Sequence, residues 1–165
     1  MDASYITPFM TSIQNVFSTM FQLPVEIGEP RIKTESKTTH DVSGIIGVSG
    51  EMVGTIVLSM PSDTAESIVA LFTGMEMGAD TDDFADAVGE LINMISGNAK
   101  AEFQRKSVSI SCPSVVIGSG HRVASSSNIP CVLIPCNTDC GEVVLEVAIR
   151  EATESVSTTS SSTAA

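Results

Sequence analysis

The strongest periodic pattern in the chain, in residues 82–106, predicts a long amphipathic helix. At about 100° per residue, its large apolar side chains fall on a single stripe. The members of this stripe are Phe84, Val88, Leu91, Ile92, Ile95, Ala99 and Phe103. Such a stripe is typical of a helix that packs one face against a hydrophobic core, so we expect the chain to be organised around this helix.

The opposite side of the same helix carries a regular row of polar or small residues. They recur every three or four positions, as Asp86, Glu90, Asn93, Gly97, Lys100 and Gln104. This spacing places Glu90 and Asn93 one turn apart and facing outward. Glycine costs a helix about 1 kcal/mol relative to alanine, yet Gly89 and Gly97 both lie inside this one. We interpret the two glycines as bare backbone that another protein approaches, and we predict partner contacts at Asp86, Gly89 and Gly97.

Composition limits the class of protein and of partner. The chain has 165 residues and is 42% hydrophobic, which suffices for one folded domain with a sizeable core. Its 20 acidic and 8 basic residues give a net charge of −12, which argues against nucleic acid or an anionic membrane as partner. The first residues lack signal-peptide features, and no apolar stretch approaches the roughly 18 residues of a membrane span. We therefore expect a cytoplasmic protein with reduced cysteines.

The remaining patterns occur twice along the chain. A helix, a proline-marked extended segment and a glycine-turned hairpin occur in residues 4–60, and the same order recurs in residues 82–150. A further helix at 62–73, with Ser62 or Asp63 as its N-cap, joins the two units. We predict an α/β (α+β) fold, a two-unit pseudo-repeat whose helices pack on one side of a largely antiparallel sheet.

The predicted strands and the chain end complete this outline. We expect extended segments at 25–37, 41–48, 52–60, 108–112, 114–118, 130–135 and 142–150. The strand at 142–150 is strongly apolar, and we expect it at a sheet edge that invites a partner strand. The folded domain is predicted to span residues 1–150. Residues 151–165 are rich in serine and threonine and are predicted to form a disordered tail.

The polar row resembles the motif of the CheC/CheX/FliY chemotaxis phosphatases. The matching residues are Asp86, Glu90, Asn93, Gly97, Asn98, Ala99 and a later proline, Pro113. The order of hairpin, linking helix and motif helix resembles the same family over nearly the whole chain up to Arg150. Only 19 residues separate Asn93 from Pro113, a few fewer than is usual in that family.

Among these phosphatases the chain looks most like CheX. Aligning the helices of the two units sets Ser12 against Glu90 and Asn15 against Asn93, so the asparagine is kept and the glutamate is not. CheC-like members carry two intact motifs, whereas this chain has one intact motif and one degenerate counterpart. CheX-like members pair through their sheets, and the resemblance therefore implies a homodimer.

The resemblance implies removal of a phosphoryl group from an aspartate of a CheY-like response regulator. Such an acyl phosphate is already activated, so the catalyst has only to hold a water in line with the P–O bond. By resemblance Asn93 orients this water, since a carboxamide accepts from water and stays neutral beside phosphate. Glu90 would pair with the regulator's active-site lysine. The protein would need no cofactor of its own, because the regulator would supply Mg²⁺.

Two other classes of function stay open. A non-catalytic adaptor of the same fold could bind the regulator without the motif side chains, although their retention favours the phosphatase. A thiol or metal enzyme could use the cysteines around the last hairpin, Cys131, Cys136 and Cys140. No C-x-x-C pair is present, so buried thiols and no metal site are the favoured interpretation. For Asn98, at the margin of the apolar stripe, we expect a buried structural hydrogen bond rather than catalysis.

Overall fold

An antiparallel sheet frames the protein in the computed structural model, which describes residues 3–35, 40–103, 106–124, 126 and 128–153. In chain order its strands are β1 (Glu26–Ile27), β2 (Arg31–Ile32), β3 (Val42–Gly50), β4 (Met52–Met60), β5 (Val108–Ile110), β6 (Ser114–Ile117), β7 (Val132–Thr138) and β8 (Gly141–Glu151). They lie in the order β1-β7-β8-β4-β3-β5, while β2 also pairs with β7 and β6 with β3. The largely antiparallel sheet predicted from sequence is therefore confirmed.

The sheet contains two interlocked units. The hairpins β3–β4 and β7–β8 meet at the centre, where β4 pairs with β8 along most of its length. The short strands β1 and β2 of the first unit pair with β7 of the second. In return, β5 and β6 of the second unit pair with β3 of the first. The predicted repeat of helix, broken extended segment and hairpin is confirmed, and each unit completes the sheet of the other.

Helices pack against this sheet and close the core. In the described ranges they are α1 (Thr7–Phe21), α2 (Ser62–Thr73) and α3 (Asp82–Glu102), with a 3₁₀ turn at Ala3–Tyr5 before α1. Apolar side chains of all three helices and of the central strands form one buried cluster. The largest fully buried members are Phe17, Phe84, Ile13, Ile46, Met52, Ile56, Leu58, Met60, Ile68, Leu91, Ile92 and Ile95. Each helix in these ranges is too short or too polar to cross a bilayer.

The capping residues of α2 and α3 explain where these helices begin and end, with one difference from the prediction. The side chain of Thr81 caps α3 by accepting a hydrogen bond from the Phe84 amide at 3.3 Å. Gly74 ends α2 in the left-handed region, with φ of 74°, as a glycine terminator should. The predicted N-cap of α2 at Ser62 or Asp63 is wrong. Pro61 occupies that position with φ of −58°, and it makes no side-chain cap because its ring carries no polar atom.

The final strand lies at the centre of the sheet, so its predicted edge position is wrong. β8 is paired on one side with β7 and on the other with β4. Every residue from 143 to 149 is buried, and all of them except Glu146 are apolar, as is typical of a strand covered on both faces. The short strands flank the outer sides of β7 and β3 instead. A strongly apolar run is common to central strands and exposed edges, and only long-range pairing separates the two.

One charged residue on β8 is buried on the sheet face away from the helices. The Lys33 ammonium donates to a carboxylate oxygen of Glu146 at 2.7 Å, and these side chains are 7% and 4% exposed. Nearby, Ile129, Cys131 and Ala148 form a small apolar cluster of their own. This face of the sheet is thus covered by the segment around Lys33 and by the chain before β7. Residues 154–165, most of the predicted tail, lie outside the described residues, and the tail stays a prediction.

Candidate functional site

The sequence-predicted motif face lies where expected on α3. Six of the seven stripe residues are at most 1% exposed, and Phe103 packs half-buried beside them. Glu90 and Asp86 are exposed on the opposite side, and Asn93 is half-buried there. The buried apolar side chains therefore anchor the helix in the core. The helical backbone in turn holds Glu90 and Asn93 one turn apart at the surface.

The two motif side chains are unpaired among the residues that the structure describes. Within the part of the chain that the structure describes, neither Glu90 nor Asn93 makes a hydrogen bond or an ion pair. The carboxylate and the carboxamide thus keep their full hydrogen-bonding capacity for another molecule. Asn98 is also exposed, so the prediction of a buried hydrogen bond for that residue is wrong. It provides a second surface asparagine on the same helix.

The two glycines of α3 have different surroundings. A Cβ atom added to Gly97 would meet nothing within 4 Å, so this residue leaves open backbone one turn beyond Asn93. Gly89 is buried instead, and an added Cβ would lie 3.3 Å from Cγ of Pro113 and 3.6 Å from a methyl group of Val115. The interpretation of Gly89 as backbone open to a partner is therefore wrong. Its lack of a side chain lets the chain's own proline approach the helix.

The same contact locates the proline of the motif. Pro113 follows Asn93 by fewer residues than the resembled family predicts, yet its ring packs on Gly89, the residue before Glu90. Pro113 itself is exposed, so it forms part of the surface beside the motif. The sequence indicates a proline after the motif helix, but its contact with the helix depends on a sheet register that the sequence does not define.

The degenerate counterpart on α1 has a structural role at one of its two positions. Ser12 is 3% exposed, and its hydroxyl donates to the Ile95 carbonyl at 2.7 Å. Asn15 is exposed. The alignment of Ser12 with Glu90 therefore pairs a buried residue with an exposed one, and it is wrong at that position. The pattern of apolar residues in α1 did not show which side of the helix packs against α3.

The cysteines do not assemble into a site. Cys131 and Cys136 are five residues apart at β7 and belong to separate apolar clusters on opposite faces of the sheet. Burial raises the pKa of the Cys136 thiol to about 12, and burial beside Asp139 raises the pKa of Cys140. A nucleophilic thiol needs the opposite shift. Among the described residues, no group of three or more His, Cys, Asp or Glu side chains could hold a metal ion.

Comparison with known proteins agrees with this geometry. Residues 42–137 match the family described as Chemotaxis phosphatase CheX, and this span is more than half of the chain and includes all of α3. The chain belongs to this family. The match runs from the first residue of β3 to within one residue of the end of β7, so it contains the linking helix, the motif helix and Pro113.

Individual CheX proteins extend the likeness to most of the chain. The CheY-P phosphatase CheX of Thermotoga maritima is 29% identical over 128 residues, which are 76% of this chain and 83% of that protein. The crystal structure of a chemotaxis protein CheX from Desulfovibrio desulfuricans superposes with a TM-score of 0.81 at 31% identity, covering 90% of this chain and 99% of the other. A chain of the CheX–CheY–BeF₃–Mg²⁺ complex from Borrelia burgdorferi, at 24% identity and a TM-score of 0.75, covers 89% of this chain and 98% of its own and shares the fold.

Proposed function

We propose that this protein is a phosphatase that hydrolyses the aspartyl phosphate of a CheY-like response regulator. The observation that carries the proposal is the surface pair of Glu90, exposed, and Asn93, half-buried, on α3 of a CheX-family chain, where neither side chain has a partner among the described residues. The Thermotoga maritima relative, described as a CheY-P phosphatase, supports the same reaction class. We place the protein in the cytoplasm on this proposal, together with its substrate.

In this proposal Asn93 supplies positioning rather than covalent chemistry. Its side-chain oxygen accepts a hydrogen bond from a water and holds that water in line with the phosphorus–oxygen bond of the acyl phosphate. The water oxygen bonds to phosphorus as the bond to the aspartate oxygen breaks, which releases inorganic phosphate and the free carboxylate. Because the leaving carboxylate is a stable anion, no nucleophile from this protein is required. The neutral carboxamide adds no repulsion to the phosphate.

Glu90 then serves engagement with the regulator. Its carboxylate is exposed one turn before Asn93 and is free to accept from the regulator's active-site lysine. Such a pair would fix the helix along the partner so that Asn93 reaches the phosphate. Asp86 and the open backbone at Gly97 extend the contact one turn in either direction. Mg²⁺ belongs to the regulator in this scheme.

The direct test uses a CheY-type regulator charged with acetyl phosphate. We expect catalytic amounts of this protein to accelerate phosphate release from the regulator, with saturation as the regulator concentration rises. Binding should be measured in parallel with a regulator charged with beryllofluoride. Binding without accelerated release would instead identify a non-catalytic adaptor, and neither binding nor release would contradict both functions.

A further inference from the structure

The loop between β5 and β6 is a bulge at the edge of the sheet. Both strands pair with β3, β5 through Ile110 opposite Val48 and β6 through Ser114 opposite Ile45. Three residues, 111–113, therefore lie opposite only two residues of β3. An extra residue in one strand interrupts the regular backbone ladder, and bulges of this kind re-aim the residues that they contain.

Ser111 uses its side chain to replace a missing backbone hydrogen bond at this bulge. Its backbone amide donates to the Gly47 carbonyl at 2.9 Å, as in a regular strand. The return bond comes from its side chain, since the Gly47 amide donates to the Ser111 hydroxyl at 2.9 Å. The same hydroxyl donates to the Cys112 carbonyl at 2.8 Å. One side chain thus ties β3 to the next peptide of the bulge and fixes the direction in which the chain leaves β5.

The chain leaves the bulge towards the motif helix. Two residues after Ser111, the ring of Pro113 packs on Gly89, directly before Glu90. Proline has no amide to donate, so a bulge is one of the few strand positions that accept it. Cys112 and Pro113 are both exposed, so this part of the bulge forms surface next to Gly89, the residue before Glu90. It directly follows Ser111, whose hydroxyl bonds to β3 and to the Cys112 carbonyl.

We propose that Ser111 is a positioning residue for the phosphatase: its hydroxyl holds the bulge that seats Pro113 on Gly89 and so fixes the surface that meets the regulator beside Glu90. This inference rests on the proposed function and assigns a role to a residue outside the motif. Gly89 lies one residue before Glu90 and one turn before Asn93 on the same helix. Because the bulge supplies contact surface and no group that orients the attacking water, its loss should weaken engagement with the regulator more than turnover.

The test compares four proteins in steady-state phosphate release from the charged regulator: wild type, Ser111→Ala, Ser111→Thr and Ser109→Ala. Ser109 lies two residues earlier, on β5, and is exposed, with no side-chain hydrogen bond to the described residues, so it is a matched control. We expect Ser111→Ala to raise KM roughly two- to tenfold, as the loss of one or two hydrogen bonds allows, with kcat near wild type. Ser111→Thr retains the hydroxyl and should restore KM. The melting temperatures should stay close together, because Ser111 is exposed.

Each outcome decides the inference. An unchanged KM in Ser111→Ala, or a KM defect shared by Ser109→Ala, would overturn it while leaving the phosphatase intact. A fall in kcat and melting temperature without a rise in KM would show a purely structural role and would also overturn it. If the wild type itself releases no phosphate, the proposed function fails and this inference fails with it.

Discussion

At the scale of single residues, the surface of α3 is defined as much by a missing side chain as by its polar ones. Gly97 faces open space one turn beyond Asn93, where any larger residue would stand between the helix and a partner. The structure gives no internal reason for glycine there, since an added Cβ would meet nothing. A glycine that lowers helix stability without serving the fold is expected to serve contact with a partner.

Gly97→Ala should therefore separate stability from function. The free energy of unfolding should rise by about 0.5–1 kcal/mol, because alanine favours the helix and restricts the unfolded chain. The KM for the charged regulator should rise as well, because a methyl group occupies the contact surface. Urea unfolding and steady-state phosphate release measure the two effects. A more stable protein with an unchanged KM would show that Gly97 is not a contact.

Glu90→Gln should affect engagement more than turnover. The substitution keeps shape and hydrogen bonding but removes the charge that we propose pairs with the regulator's lysine, so we expect KM to rise more than kcat falls. Glu102→Gln, an exposed glutamate at the end of the same helix, is the matched control and should leave both unchanged. A double-mutant cycle with the partner lysine tests the pairing itself, and simple additivity of the two changes would contradict it.

At the scale of elements, the sequence predicted those whose signal is local. The 3.6-residue period of α3 and the Gly-turned hairpin β3–β4 both depend on neighbouring residues, and both predictions are confirmed. Burial of Gly89, the internal role of Ser12 and the central position of β8 depend on residues distant along the chain. An apolar strand is compatible with an edge or a central position in the sheet until the strands that pair with it are known.

The buried ion pair tests the central position of β8. Lys33→Met removes one partner and leaves the Glu146 carboxylate buried without a cation, so we expect a loss of about 3–5 kcal/mol in the free energy of unfolding. Lys33→Met combined with Glu146→Leu removes both charges and should recover most of this loss. Chemical denaturation measures both variants. A loss below 1 kcal/mol in Lys33→Met would indicate that Glu146 reaches water and that β8 is less enclosed than described.

At the scale of the whole molecule, the two units are unequal partners in one sheet. Each unit's short strands complete the other's hairpin, so neither unit has a full sheet alone. Only the second unit presents the Glu90 and Asn93 pair, while the first unit uses Ser12 to hold its helix on α3. The same order of elements in both halves of the sequence predicted the repeat. The exchange of short strands between the units could not be predicted, because it depends on pairing between distant residues.

The expectation of a homodimer stays a prediction, but β8 is central and cannot supply the pairing edge. Among the described residues, the sheet edges are formed by the short strands, where Ile32 is 56% and Ile117 is 40% exposed. Light scattering at micromolar concentration should give twice the chain mass of 17.2 kDa. Ile32→Lys and Ile117→Lys should show which edge pairs, with Leu71→Lys on α2 as the control. A 17.2 kDa particle would contradict the dimer.

The central claim is that the Asn93 carboxamide orients the attacking water, and one measurement tests it most directly. The lifetime of the regulator's aspartyl phosphate should be compared with wild type, Asn93→Ala and Asn98→Ala at equal regulator occupancy, set by binding to the beryllofluoride form. Both asparagines lie on α3 outside the apolar core, so neither truncation leaves a core cavity. We predict that Asn93→Ala binds the regulator but slows phosphate release roughly 10²-fold, as expected when one positioned hydrogen-bonding group is removed, and that Asn98→Ala matches wild type. Normal acceleration by Asn93→Ala at full occupancy would contradict the account.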